Sequence, residues 1–298
     1  EYEWRWKAND AEAAPAFPQP LWLGREDLAG KTLLLHAEQG YGDTLQFCRY
    51  ARLIAGRGAR VILQVQPPLR SLLTRLAGPA RVIAQGDPLP PFDLHCPLMS
   101  LPLALGTGLA SIPADIPYLS ADQSETAAWR ARLGDTNAPR VGLAWSGRAT
   151  HRNDMNRSIR LAELAPLFTG GADFISLQKE VREEDQRYLT STPALRHYGG
   201  HLGDYADTAA LIACLDLVIT VDTSVAHLAG ALGKPVWILL PSDPDWRWML
   251  EREDSPWYPT ARLFRQTCIH DWHDPVSNVT AALGEFLRRA GSVRTSPR

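Results

Sequence analysis

An acid, two hydroxyls and an imidazole fall close together in Val218-Ile219-Thr220-Val221-Asp222-Thr223-Ser224-Val225-Ala226-His227, directly behind an apolar run. The pattern predicts a buried strand that ends at the acid and a small-residue helix that starts at the hydroxyls. The free N–H groups and partial positive charge of such a helix start suit a phosphate. Thr223 and Ser224 add hydroxyl donors, and His227 follows them at a spacing that shares one helix face. The same spacing also suits a plainer arrangement, with Ser224 as a helix cap and His227 as a hydrogen-bonded core histidine.

Gln39-Gly40-Tyr41-Gly42-Asp43-Thr44 lies between another apolar run and another helical pattern. Its glycines let a backbone approach a ligand closely. Asp43 is placed either as a general base or as a helix cap, with Gln46 three residues on. A dinucleotide fingerprint fails because Leu45 stands at the third glycine position, and a Walker-type loop fails because no Gly-Lys-Ser or Gly-Lys-Thr follows.

The polar stretch Ser146–Ser158 carries Arg148, His151, Arg152 and Arg157. Its cations suit either a diphosphate leaving group or a solvated loop. Gln178, Lys179 and Glu180 close a further apolar run. Asp243-Pro244-Asp245 spells an Asp-x-Asp, but Pro244 and the flanking tryptophans predict a turn, and no metal site is expected.

These segments need a scaffold, and strands alternating with helices supply one. Strands are predicted at Thr32–His36, Arg60–Val65, Arg81–Ala84, Phe92–His95, Val141–Trp145, Asp173–Leu177, Leu217–Val221 and Val236–Leu240. Helices are predicted at Thr44–Ala55, from Pro67, at Ser124–Leu133, Leu161–Phe168, Glu183–Leu189, Thr208–Cys214, Val225–Leu232 and Val276–Arg289. The rhythm argues for an α/β fold with parallel sheets in two Rossmann-like domains facing a cleft. Residues 1–20, rich in proline, read as a linker or the end of a preceding region. Residues 21–136 and 137–290 read as the two domains, divided at the polar Asp135–Pro139 loop.

Composition narrows the class. The 298 residues are 45% hydrophobic and 21% charged, with a net charge of −2, so a folded chain is expected and nucleic acid is not a predicted partner. Cys48, Cys96, Cys214 and Cys268 show no C-x-x-C pairing and are expected as buried free thiols. No transmembrane run or signal-peptide core is visible, and a cytoplasmic location is the expectation. Trp237, Trp246, Trp248, Trp257 and Trp272 gather late in the chain, to stack on a ligand or to seal an interface.

The two-domain rhythm, Gly42-Asp43, and the run from Asp222-Thr223-Ser224 through His227-Leu228-Ala229 to Gly233-Lys234-Pro235 resemble glycosyltransferase family 9, the heptosyltransferase-like family of GT-B fold. The likeness covers about residues 31–285. Glu1-Tyr2-Glu3-Trp4-Arg5-Trp6 is similar to the tail of a tetratricopeptide repeat array, as in bacterial proteins that carry such repeats upstream of this domain.

The resemblance implies an inverting, metal-independent transfer of a sugar from a nucleotide-diphosphate donor, with no cofactor. Residues 21–136 would take the acceptor, a protein, peptide or glycan, and Asp43 would deprotonate its hydroxyl. Residues 137–290 would bind the nucleotide-sugar through Asp222, Thr223, Ser224 and His227, with Gly42, Gln178 and Lys179 nearby. Where the family has a diphosphate-binding lysine, this region offers Arg148, His151, Arg152 and Arg157 and no lysine, a departure that counts against heptose and leaves hexosyl and heptosyl donors both open. A sugar-nucleotide epimerase, which needs no acceptor, and a non-catalytic binding module, indifferent to loss of Asp43, are the alternatives. A nicotinamide-linked oxidoreductase ranks behind them because of Leu45.

Overall fold

A computed structural model describes residues 2–7 and 16–295. The chain divides into two units, Glu1–Pro113 and Ala114–Arg298.

The first unit is built on a parallel sheet of β1 (Thr32–His36), β2 (Arg60–Val65), β3 (Pro79–Ala84) and β4 (Leu94–Pro97), in the order β3-β2-β1-β4. β1 is central and apolar because both of its faces are covered; Leu33, Leu34 and Leu35 are fully buried. Its neighbours run in register on either side, Leu34 opposite Ile62 and His95. The order reverses between β1 and β4, which makes their carboxyl ends the switch point of this sheet.

The second unit holds six parallel strands: β5 (Arg140–Ala144), β6 (Asp173–Ser176), β7 (Leu195–His197), β8 (Leu217–Val221), β9 (Val236–Leu240) and β10 (Ala261–Arg265). Their order, β10-β9-β8-β5-β6-β7, is the doubly wound dinucleotide-fold order, with its switch point between β5 and β8. Val141, Leu143, Trp145, Leu217, Ile219 and Val221 form its core with Val276, Val279 and Leu283 of the closing helix His273–Thr295. The α/β reading with parallel sheets therefore stands.

The division falls at Pro113/Ala114 where the sequence placed it at 136/137. Residues between those points bond to the second unit. Tyr118 and Leu119 N–H groups donate to the Ala231 carbonyl at 3.0 and 3.1 Å, and Arg196 Nη2 holds the Leu133 carbonyl at 3.0 Å, at the end of helix Gln123–Leu133. Polar composition marked an exposed loop correctly at 134–138 without revealing which body owned the helix before it.

The predicted linker also differs. Tyr2–Lys7 is a 3-10 helix tied to the first unit by Arg5; residues 1 and 8–15 of that stretch lie outside the described residues. Strands β7 and β10 were not anticipated. Both are short edge strands, and β10 carries arginines at each end of Leu263-Phe264. Cys48 and Cys96 are buried, Cys214 is half-buried, and Cys268 is exposed, against the expectation of burial. Cys268 follows β10 in a turn where no strand covers it. Among the described residues no helix is long and apolar enough to cross a membrane.

Candidate functional site

The switch point of the second unit gathers Arg157, Asp222, Thr223 and Ser224 of the predicted donor-site residues. β8 ends at Val221, Thr223 adopts an extended backbone as N-cap, and helix Ser224–Ala231 begins. The cap is Thr223 and not Ser224: its Oγ1 accepts from the Val225 N–H at 3.3 Å and meets the Thr220 hydroxyl at 3.3 Å. Ser224 is left to pair with the Tyr205 hydroxyl at 2.6 Å. Tyr205 opens helix Tyr205–Ala213, whose first N–H groups are capped by Asp204 at 2.7 Å from Ala206 N. Two helix starts are thus joined by one hydroxyl pair.

On the β5 side, Trp145 anchors the start of the polar loop. Its indole N–H donates to buried Asp185 at 2.8 Å, and Asp185 also takes the Leu161 N–H at 2.9 Å. The loop returns through the short helix Asp154–Arg157. Arg157 Nη1 reaches the Asp222 carbonyl at 3.0 Å and so crosses from the β5 loop to the β8 loop. Its guanidinium lies flat against Gly147, where a Cβ would stand 2.5 Å from Nη2. A side chain there would push the guanidinium aside, and no unusual backbone angle calls for glycine.

Arg157 is held by Asp154, a buried carboxylate at 3.8 Å from Nε. Asp154 also pairs with Arg182 and accepts from the Ser158 hydroxyl at 2.9 Å. Arg182 Nη2 reaches the Gly147 carbonyl at 3.2 Å. Two guanidinium groups therefore share one buried carboxylate, and one of them, Arg157, reaches the residue just ahead of the Ser224 helix.

Asp222 sits in the opposite balance. Burial of its carboxyl, and then the neighbouring Asp245, push its pKa up to about 6. Arg157 and Arg247 work against that rise, as does the Trp248 side chain, although the indole N–H makes no bond of ordinary geometry. Asp245 is committed elsewhere: it caps Trp246–Trp248 through the Arg247 N–H at 3.0 Å and pairs with the buried Arg247 guanidinium at 2.8 Å. Where a turn was expected, Asp243 lies in a bend and Asp245 caps the 3-10 helix Trp246–Trp248.

His227 is a core histidine. It is buried, its Nδ1 lies 3.0 Å from the Tyr258 hydroxyl, and its ring stacks on Trp248 with centroids 5.3 Å apart. Trp248, from the late tryptophan group, therefore folds back onto the Ser224 helix inside one unit.

The remaining predicted residues scatter. Gln178 clips the loop, its Nε2 donating to the Ser146 carbonyl at 3.1 Å. Lys179 is exposed and donates to the Gly203 carbonyl at 2.7 Å, just ahead of the Tyr205 helix. Arg148 and His151 are exposed on the outer turn, where His151 Nδ1 takes the Asn153 N–H at 3.2 Å.

In the first unit, Gly42 and Asp43 lie in the opening turn of helix Tyr41–Phe47. The Gly40 N–H donates to Asp43 Oδ2 at 2.7 Å, so Asp43 supplies the N3 half of a capping arrangement whose other half glycine, with no side chain, cannot give. The helix starts three residues earlier than the periodicity implied because Gly40, not Asp43, is the cap.

Asp154, Arg182, Tyr205, Trp248 and Tyr258 are the contributors that sequence reasoning passed over. Asp154 stood inside the quoted arginine loop and Trp248 inside the tryptophan group. Arg182 lies 35 residues from its Gly147 contact, and no local pattern links them.

Residues 204–254, which run from the cap of the Tyr205 helix past Trp248, match the model of glycosyltransferase family 9 (heptosyltransferase). Protein FlbA of Caulobacter vibrioides is 28% identical over 313 residues, an alignment covering 94% of this chain and 52% of that protein. The chain spans about half the length of this curated relative.

Among solved structures, a family 9 glycosyl transferase from Veillonella parvula is similar with a TM-score of 0.61 at 12% identity, covering 89% of this chain and 99% of the other. The E. coli ADP-heptose LPS heptosyltransferase II gives 0.57 at 15% identity, covering 87% and 99%. At such identities the likeness establishes the fold, an α/β architecture with parallel sheets shared with family 9 heptosyltransferases.

Proposed function

We propose that this protein is an inverting, metal-independent glycosyltransferase that moves a sugar from a nucleotide-diphosphate donor to a hydroxyl acceptor. One observation carries the reading: at the β5/β8 switch point, Arg157 bridges to Asp222 beside the N-terminus of the Ser224 helix. A guanidinium, a helix start and the Thr223 and Ser224 hydroxyls make a seat for a diphosphate. They stabilise the charge that grows on a nucleoside diphosphate as it leaves. Arg182 and Asp154 hold Arg157 in place, and Tyr205 orients Ser224.

Asp43 takes the acceptor proton in this reading. Its bond to the Gly40 N–H fixes the carboxylate in direction. The repeat-like first residues favour upstream tetratricopeptide repeats and, with them, a protein or peptide acceptor. A cytoplasmic location fits a nucleotide-sugar donor.

Thermal melts with UDP, GDP, ADP and CMP test the donor seat. A nucleotide at a hundred times its Kd stabilises the folded state by about 2.7 kcal/mol, roughly 5–10 °C for a unit of this size. The variant Asp43→Asn keeps an acceptor for the Gly40 N–H while removing the base. Transfer should fall at least about 100-fold with the nucleotide-induced shift unchanged. Loss of both would remove Asp43 from its assigned role. Sugar isomerisation with donor alone would favour an epimerase, and no response to any nucleotide would leave a binding module.

A further inference from the structure

The switch point of the first unit lies where the chain leaves β1 and β4, and it is filled by the protein itself. Glu38 follows β1 by two residues, and Met99 and Ser100 follow β4. Arg5 spans them. Its Nε and Nη2 donate to Glu38 Oε2 and Oε1 at 3.0 and 2.9 Å, a planar two-point pairing. Nη2 also donates to the Ser100 hydroxyl at 2.9 Å.

The far side of the guanidinium is matched too. Nη1 donates to Glu3 at 2.9 Å, and the Ser100 hydroxyl donates to the same carboxylate oxygen at 2.8 Å. The Met99 N–H gives Glu38 a further bond at 3.1 Å, and Trp6 lies under the guanidinium at 4.4 Å. Only 9% of the Arg5 side chain and 6% of the Glu38 side chain stay accessible.

We infer that the crevice at the carboxyl ends of β1 and β4 is a guanidinium-binding site, which Arg5 fills in cis and thereby latches residues 2–7 onto the first unit. This is the crevice in which open α/β sheets take their ligands. A carboxylate that takes two parallel N–H bonds and a hydroxyl line it, with the Met99 N–H holding the carboxylate in place, and such acceptors select a cation with several planar donors over a simple ammonium. Burial pushes the Glu38 carboxyl pKa up even with Arg5 present, so an empty crevice would hold an unpaired buried acid. A ligand that uses this end of the first unit must displace Arg5. The inference does not depend on the proposed glycosyl transfer.

Chemical rescue tests it in the full chain. Arg5→Ala should lower the melting temperature by several degrees, and millimolar ethylguanidinium should restore most of that loss. Ethylammonium at the same concentration and sodium chloride at the same ionic strength should not. Wild type, whose crevice is full, and Arg5→Ala/Glu38→Gln, whose crevice has lost its acid, should show no selective rise. Arg5→Lys, which keeps the charge and loses the fork, should be rescued by ethylguanidinium as well and serves if Arg5→Ala does not fold alone. An equal response to ethylguanidinium and ethylammonium, a response that survives Glu38→Gln, or no rescue of either single variant would overturn the assignment.

Discussion

Replacing Asp222 by Asn should make the protein more stable at neutral pH, and the gain should vanish in acid. Burial and Asp245 raise this carboxyl from 3.8 to about 6. Between those values the folded chain holds a proton that the unfolded chain has released. The folded state therefore binds more protons across that window, and unfolding free energy falls as pH rises through it. A shift of roughly two units corresponds to about 3 kcal/mol, present in full below the unfolded pKa and lost above the folded one. Asn cannot ionise, so the variant does not incur this loss.

The difference in stability, variant minus wild type, should climb from near zero below about pH 4 to roughly 2–3 kcal/mol above about pH 7. Urea unfolding followed by circular dichroism at several pH values reads it, with Asp245, the acid whose charge is coupled to Asp222, as the neighbour to control for. Asp245→Asn provides a control: it removes the second cause of the rise and should give a wild-type curve of smaller amplitude. Parallel curves for wild type and Asp222→Asn would refute the reasoning, since the carboxyl would then have an ordinary pKa in the folded chain.

Two further substitutions probe the packing beneath the donor seat. Gly147→Ala places a Cβ 2.5 Å from Arg157 Nη2, which forces the guanidinium off the Asp222 carbonyl. Loss of one charge-assisted bond, about 1.5–3 kcal/mol, should weaken binding of the responsive nucleotide roughly 10- to 100-fold by calorimetry; unchanged affinity would remove Arg157 from the seat. Gly230→Ala places a Cβ 2.4 Å from the Tyr258 ring, which is buried and tied to His227. Denaturant unfolding should show a loss of about 1–3 kcal/mol or more, whereas Gly200→Ala, with open space around it, should cost far less.

The central strands and the helices they feed were legible because their chemistry is local. β1 and β8 are continuous apolar runs, and continuous apolar runs of that length between glycine-rich or polar turns read as covered parallel strands. Thr223 and Ser224 at the end of β8 announced a helix start before any coordinates. Which of the two caps it was not legible, since either hydroxyl can reach an N–H two or three residues on. The extended backbone of Thr223 and the Tyr205 hydroxyl settled the choice. His227 could be read as a ligand or as core, and Trp248 and Tyr258 closed over it from residues more than twenty positions away.

The order of residues in this chain dictated where strands and helices start, because periodicity, caps and breakers act over a few positions. It also dictated the types of group at the end of each strand. Partnership was decided by folding. Arg157 meets Asp222 across 65 residues, and Arg5 meets Glu38 across 33. An arginine in a polar loop looks the same in sequence whether it faces water or a carbonyl, and only the pairing of β5 beside β8, and the docking of Tyr2–Lys7 at the ends of β1 and β4, brings such distant groups within bonding distance.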